Sequence, residues 1–238
     1  MTKAIDIDRF KILSGSALKL IACLSMFADH IAKFYLIHFP WAKAVWFTFL
    51  GKPFSLLRLL LKFGRFAFPL FAFLLVVGFE HTRNKKKYGI SLFILALLSE
   101  IPFNLMVGHG LLSQPHNVIF TLLIGFVAMC SLEYFKEKPL ISFLSIVSLF
   151  LVSKYLQADY HVLGFIVILL MYGLRKEKII RCIATPIVLP MKVMVFLSML
   201  LTFLYNGKRG FIRTPFLKYC FYAFYPVHML VIYLLASL

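Results

Sequence analysis

Long apolar runs separated by short polar clusters recur along the whole chain. A helix that crosses a membrane needs about 20 mostly apolar residues. Runs of this kind predict spans at about 15–37, 65–78, 88–107, 117–135, 139–153, 161–174 and 217–236, with an interrupted apolar region at 179–205. The predicted fold is all-α: a polytopic transmembrane helix bundle of about eight spans, forming a single integral-membrane domain over 1–238. Pro186 and Pro190 interrupt the seventh region. Two full crossings there would need about 40 residues, so the pattern leaves open a single crossing or a broken, re-entrant segment. Between the first two spans, residues 38–64 mix Trp41, Trp46, Lys52 and Pro53 with the basic and apolar stretch 54–62, which reads as an interfacial helix. Asp6 and Asp8 dilute the positive start of the chain, and no small-residue cleavage site follows. The first run therefore reads as a retained anchor rather than a cleaved signal.

Composition sharpens this picture. Of the 238 residues, 62% are hydrophobic and 15% charged, against about 45–50% and about 25% in soluble domains. That excess exceeds what one small globule can bury, which excludes a soluble enzyme, and disorder requires the opposite bias. Lys and Arg total 26 against 9 Asp and Glu, a net charge of +17. The basic residues sit in short clusters between apolar runs, as the positive-inside rule produces, so nucleic acid is not the expected partner. The clusters at 80–88, 133–138 and 175–181 are predicted to be cytoplasmic, and the N-terminus with them, in a multi-pass protein of the inner (plasma) membrane. Two stretches dissent. Residues 38–65 hold Lys43, Lys52, Arg58, Lys62 and Arg65 where an external loop is expected, and 206–218 hold Lys208, Arg209, Arg213 and Lys218. Cys23, Cys130, Cys182 and Cys220 are far apart and read as apolar packers. The seven histidines show no metal-ligand spacing, so no metal is expected.

The chemistry lies in polar residues placed where they are expensive. An Asp at the centre of a membrane helix costs about 2.5–3.5 kcal/mol, yet Asp29 and His30 fall inside the first run. Glu100 and Asn104 share a face of the third, and Asn117, Thr121 and Gly125 stripe the fourth. Seven groups, Asp29, His30, Arg65, Glu100, Asn104, His116 and Asn117, are expected at one depth of the outer half of the membrane. Such a group reads as a site, since intramembrane ionisable residues are expensive to keep. Asp29 and His30 are adjacent and point roughly 100° apart. Asp29 is therefore expected to pair with Lys33 or Arg65, and Glu100 to contact His30. Tyr225 and His228 share a face of the last run.

Lys19-Leu20-Ile21-Ala22 with Met26 and Asp29-His30, Gly64-Arg65-Phe66-Ala67-Phe68-Pro69-Leu70-Phe71, Gly78-Phe79 with His81-Thr82-Arg83-Asn84, Ser99-Glu100-Ile101-Pro102-Phe103-Asn104, Asn117-Val118, Asp159-Tyr160, Asn206-Gly207-Lys208-Arg209-Gly210 and Phe224-Tyr225-Pro226-Val227-His228 follow in order. Together they resemble the TraX family over nearly the whole chain. The resemblance implies membrane acetyl transfer from cytoplasmic acetyl-CoA to an amine or hydroxyl on the far side, such as a pilin N-terminus or an envelope component. On that footing His30 is the candidate base or acyl carrier, oriented by Glu100. Asn104 or Asn117 is the candidate oxyanion donor, and Asp29 a structural partner. Arg65, Arg83, Lys85, Lys86, Lys87, Arg175 and Lys176, with Tyr225 and His228, are the candidates for holding acetyl-CoA, since Arg and Lys clusters suit its phosphates. Two other readings remain open: a proton-coupled transporter or flippase, which also uses buried Asp, Glu and His, and a non-catalytic pilus or fimbrial assembly factor.

Overall fold

The computed structural model describes residues 11–49, 51–108, 110, 114–190 and 192–238. Asp6 and Asp8, on which the retained-anchor reading rests, lie outside the described residues. The helices are α1 (Gly15–Phe34), α2 (Pro40–Lys43), α3 (Leu56–Gly64), α4 (Ala67–His81), α5 (Lys85–Val107), α6 (Val118–Tyr134), α7 (Pro139–Leu156), α8 (His161–Gly173), α9 (Lys178–Val188), α10 (Lys192–Phe203) and α11 (Pro215–Ser237). Their starts follow local chemistry. Ser14, Ser55, Asn84, Asn117 and Thr214 cap α1, α3, α5, α6 and α11 by accepting a backbone N–H. Pro139 and Pro215 open α7 and α11, where a missing N–H costs nothing.

Among the described residues, five segments are long and apolar enough to cross a membrane: Gly15–His38, Leu56–His81, Lys85–Val107, Pro139–Leu156 and Pro215–Ser237. Val118–Tyr134, His161–Gly173 and Lys192–Phe203 are apolar but shorter. Helix α4 lies at the centre, with Phe68, Leu70, Phe73 and Val76 buried. Helix α7 lies at the edge: Ile146, Leu149 and Phe150 pack on α6 and α8, and its other side faces outward.

Two expectations for residues 38–64 change. This stretch contains an antiparallel hairpin, β1 (Phe47–Phe49) with β2 (Lys52–Phe54), pairing Thr48 with Pro53. The helix that follows is not a separate interfacial element. Arg65 and Phe66 both keep helical backbone angles between α3 and α4, so the second span begins at Leu56 rather than near Arg65. Pro69 explains the interruption: it has no N–H for the Arg65 carbonyl, and its ring crowds that turn.

The broken seventh region is a helical hairpin. Helices α9 and α10 pack against each other around Leu189 and Pro190. Their 11 and 12 residues rise only about 16–18 Å each, short of the roughly 30 Å hydrocarbon layer. The chain then returns to the start of α1. Leu13 N–H donates to the Leu204 carbonyl (2.8 Å), Asn206 N–H to that of Leu13 (2.9 Å), and Gly15 and Ser16 N–H to those of Lys208 and Arg209 (both 2.9 Å). Ser16 Oγ donates to the Arg209 carbonyl at 2.6 Å and accepts from Ile212 N–H at 2.9 Å. Gly210 suits this docking, because its φ is +89° and an added Cβ would lie 2.9 Å from that of Ser16. Residues 206–218 therefore share one end of the bundle with the start of α1. Arg175 pairs with Glu80 there, at 3.2 Å, and Lys85 pairs with Glu133. This end gathers the basic clusters, and the charges of 206–218 no longer dissent from it.

Single cysteines introduced into a cysteine-free background test this arrangement with a membrane-impermeant maleimide. Lys176→Cys and Lys208→Cys are expected to label from the same face of sealed vesicles, and Thr48→Cys from the other. Labelling of Lys176→Cys and Lys208→Cys from opposite faces would remove the hairpin.

Candidate functional site

One face of α1 lines an elongated cavity: Lys19, Cys23 and Met26, then Asp29 with His30. From Lys19 to His30 the helix rises about 16 Å. The cavity contains about 1100 Å³ of empty space, its open mouths included. Its walls are apolar, with Phe71, Leu74 and Leu75 of α4, Leu92 and Leu95 of α5, and Ile119 and Leu122 of α6. Polar groups gather at the ends: Lys19, Tyr88 and Tyr222 towards the basic end, and Asp29, His30, Asp159, Tyr160 and Tyr225 towards the other.

His30 meets His228 across 198 positions of sequence, with Nδ1 of His30 2.8 Å from Nε2 of His228. The rings lie parallel, 5.0 Å between centroids and 7° apart. His228 Nδ1 is 2.8 Å from the Phe224 carbonyl oxygen. A carbonyl only accepts, so this nitrogen carries a proton. In the neutral ring Nε2 is then the acceptor, and His30 Nδ1–H donates to it. That arrangement leaves Nε2 of His30 as an unprotonated base on a residue of the cavity wall. Tyr225, one turn of α11 before His228, also lines the cavity, and its buried hydroxyl, which lies by the Val118 N–H, donates to no acceptor.

The mouth beyond His30 is polar and strained. Asp29 pairs with Lys33, as the i,i+4 spacing predicts, while its other oxygen is buried without a partner. Gly64 permits this approach of α3 to α1, because an added Cβ would lie 2.6 Å from Asp29 Oδ1. The Arg65 Nε is likewise buried and unpartnered. Asp159, exposed in the loop between α7 and α8, lines the cavity mouth, where Lys33, Asp29 and Arg65 are close enough for their charges to act on it. Gln157, Tyr160 and His161 all have positive φ, at 47°, 67° and 42°, which costs about 1–3 kcal/mol each for residues other than glycine. The surroundings hold this loop. Asp159 N–H donates to the His116 carbonyl (2.9 Å), Thr121 Oγ1 donates to the Asp159 carbonyl (2.6 Å), and Tyr160 stacks on Phe68 at 4.0 Å.

Glu100 does not reach His30, which corrects the expected contact. Its carboxylate accepts from His116 Nδ1 (2.5 Å), from Asn117 Nδ2 (2.5 Å) and N–H (3.3 Å), and from Asn104 Nδ2 (3.4 Å). Asn117 Nδ2 also donates to the Ala96 carbonyl at 2.9 Å. A carboxylate with so many donors has little capacity left for a second imidazole. The Asn117 amide is committed in the same way, to Glu100 and to Ala96, whereas Asn104 makes one contact to Glu100 and its buried Oδ1 has no partner. These four side chains tie α5 to the start of α6. The seven polar groups expected in one pocket form two sets: Asp29, His30 and Arg65 by the cavity, and Glu100, Asn104, His116 and Asn117 in this knot.

The candidates for holding acetyl-CoA divide similarly. Tyr225 lines the cavity, and His228, itself buried, stands behind His30. Arg83, Lys85, Lys86, Lys87, Arg175 and Lys176 are not among its lining residues. Of these, Lys85 is engaged by Glu133 and Arg175 by Glu80. Sequence reasoning did not single out Lys19, Tyr222, Asp159 or Tyr160 as site residues. Lys19 looks like a charge flanking a span, and Asp159 and Tyr160 look like an ordinary polar loop.

A family model described as "TraX protein" matches residues 14–236. A protein of Dichelobacter nodosus named "Probable fimbrial assembly protein FimC, serogroup H1" is 26% identical over 255 aligned positions, covering 96% of each chain. No solved structure matches.

The two polar sets predict different responses. Glu100→Leu, which strands the donors of His116 and Asn117, is expected to cost on the order of 2–4 kcal/mol. Thermal unfolding in detergent would read this as a clear fall in the midpoint, larger than for His30→Ala. Equal midpoints for Glu100→Leu and the unsubstituted protein would contradict the structural role of the knot.

Proposed function

The chain belongs to the TraX family, and from that premise we propose that it is a membrane acetyltransferase. In this reading acetyl-CoA is supplied at the basic, cytoplasmic end, and its acetyl group passes along the cavity to an acceptor amine or hydroxyl at the opposite end. The observation that carries it is the single cavity joining Lys19 to His30 along one face of α1. A long, flexible thioester arm suits such a shape, and the apolar walls exclude water from the reacting carbonyl.

The residues divide the chemistry as follows. The acceptor's lone pair attacks the thioester carbonyl carbon as His30 Nε2 takes the acceptor's proton. His228, anchored on the Phe224 carbonyl, holds the His30 tautomer that makes this possible, the part expected of Glu100. The Tyr225 hydroxyl, which donates to no acceptor, is the group available to donate to the developing oxyanion. As the tetrahedral intermediate collapses, the C–S bond breaks and His30 returns the proton to the thiolate. Asp159 and Arg65, beyond His30, offer charges of both signs to an acceptor. The name of the Dichelobacter relative makes a filament subunit the leading acceptor. It also favours a second reading, a non-catalytic assembly factor.

Transfer of labelled acetyl from acetyl-CoA by the purified protein tests this directly. His30→Ala is expected to lower turnover by about 10²–10⁴-fold with the fold intact, and His228→Ala by less. Undiminished turnover in His30→Ala would remove that residue from the mechanism. Normal filament assembly in cells carrying His30→Ala would favour the assembly factor.

A further inference from the structure

Lys19, at the basic end of the cavity, has two further cations near it from other segments, Arg209 and Lys218, which stand outside the cavity lining itself. Lys19 lines the cavity, with its Nζ 5.9 Å from the Phe221 ring centroid and 6.0 Å from that of Tyr222. Lys218, in the first turn of α11, approaches Tyr222 to 5.5 Å. Arg209 is fixed beside the first turn of α1, since its carbonyl accepts from both Ser16 N–H and Ser16 Oγ. Arg209 and Lys218 are close enough for their charges to act on Lys19.

Among the described residues, no carboxylate pairs with any of the three. This sets them apart from Lys85 and Arg175, which are engaged by Glu133 and Glu80 away from the cavity. Like charges brought together at the edge of a low-dielectric bundle repel unless an anion joins them. The cations also stand at the head of an apolar cavity that leads to His30, so the anion that fits carries a long neutral arm. Arg and Lys recognise phosphate through charge-assisted hydrogen bonds, and the faces of Tyr222 and Phe221 suit a stacked base.

We propose that Lys19, Arg209 and Lys218, grouped around Tyr222, anchor the phosphate groups of the acyl-CoA donor, so that its pantetheine arm enters the cavity towards His30. This assignment rests on the acetyl-transfer reading. It places the donor's head at the mouth formed by α1, residues 206–213 and α11, instead of on the 83–87 and 175–176 clusters. An anionic lipid headgroup offers the same phosphate chemistry, and the test separates the two sources.

The protein is reconstituted in nanodiscs of zwitterionic lipid, and KM is measured for acetyl-CoA, 3′-dephospho-acetyl-CoA and acetyl-pantetheine. The unsubstituted protein is expected to prefer acetyl-CoA to acetyl-pantetheine by about tenfold or more, as charge-assisted contacts imply. That preference should shrink in Lys218→Gln and vanish in the triple variant Lys19→Gln, Arg209→Gln, Lys218→Gln. The single variant removes one surface cation, and so keeps the test valid if the triple variant does not fold. Full retention of the preference in Lys218→Gln and in the folded triple variant would overturn the assignment. So would indifference of the unsubstituted protein to the donor's phosphates combined with a requirement for phosphatidylglycerol that the variants lose, since the cations would then hold lipid. Failure of the unsubstituted protein to transfer acetyl from any donor would instead bring down the acetyl-transfer reading, and this site with it.

Discussion

The bundle depends on how the first turn of α1 satisfies its backbone. A helix start leaves N–H groups without partners, and here the packing of the chain covers the first turn from water. Here Ser14 Oγ accepts from Ala17 N–H, and the carbonyls of Lys208 and Arg209 accept from Gly15 and Ser16. The partners come from nearly the other end of the chain. Meeting this requirement brings the segment after α10 back to the start of α1. It forces α9 and α10 to turn round on each other and sets α11 alongside α1, pointing the same way. Lys19 then meets Tyr222, and His30 meets His228. One backbone constraint thus aligns both ends of the cavity.

Within this frame, polar side chains serve two ends. The Glu100 carboxylate is committed: the donors aimed at it come from α5 and the start of α6, and the result is cohesion between those helices. The groups around the cavity are under-committed. Asp29 Oδ1, Arg65 Nε and Tyr225 Oη are buried without partners, and the strained 157–161 loop holds Asp159 among charges of both signs. Unsatisfied polarity is costly where water is scarce; these three atoms stand by the cavity, and Ser99 Oγ, Asn104 Oδ1 and Arg181 Nε are others elsewhere in the bundle.

Much of this was legible in the sequence, and the reasons for the failures are specific. Apolar runs locate the spans because lipid imposes their length. The Asp29–Lys33 pair follows from helical spacing. The Leu56 start was missed because a basic, apolar helix before a proline looks interfacial, whereas Pro69 only bends a helix that continues. Glu100 was assigned the wrong partner because depth along a span says nothing about rotation around it. The His30–His228 pair was out of reach for a related reason. His228 sits among tyrosines and phenylalanines that suggest a membrane interface, and no periodicity links residues on helices 198 positions apart.

The cavity's fixed length gives it a further property. Its middle is lined by phenylalanine and leucine, which accept a neutral chain and turn back a charged one. A molecule held by a charged head at Lys19 can therefore advance only by its uncharged part, and the eleven-residue run of α1 to His30 determines which atom arrives at the imidazole. In the proposed acetyl-transfer reading the protein acts as a ruler: it would select by the distance between head and reactive carbon, a criterion that needs no contact with the transferred group itself.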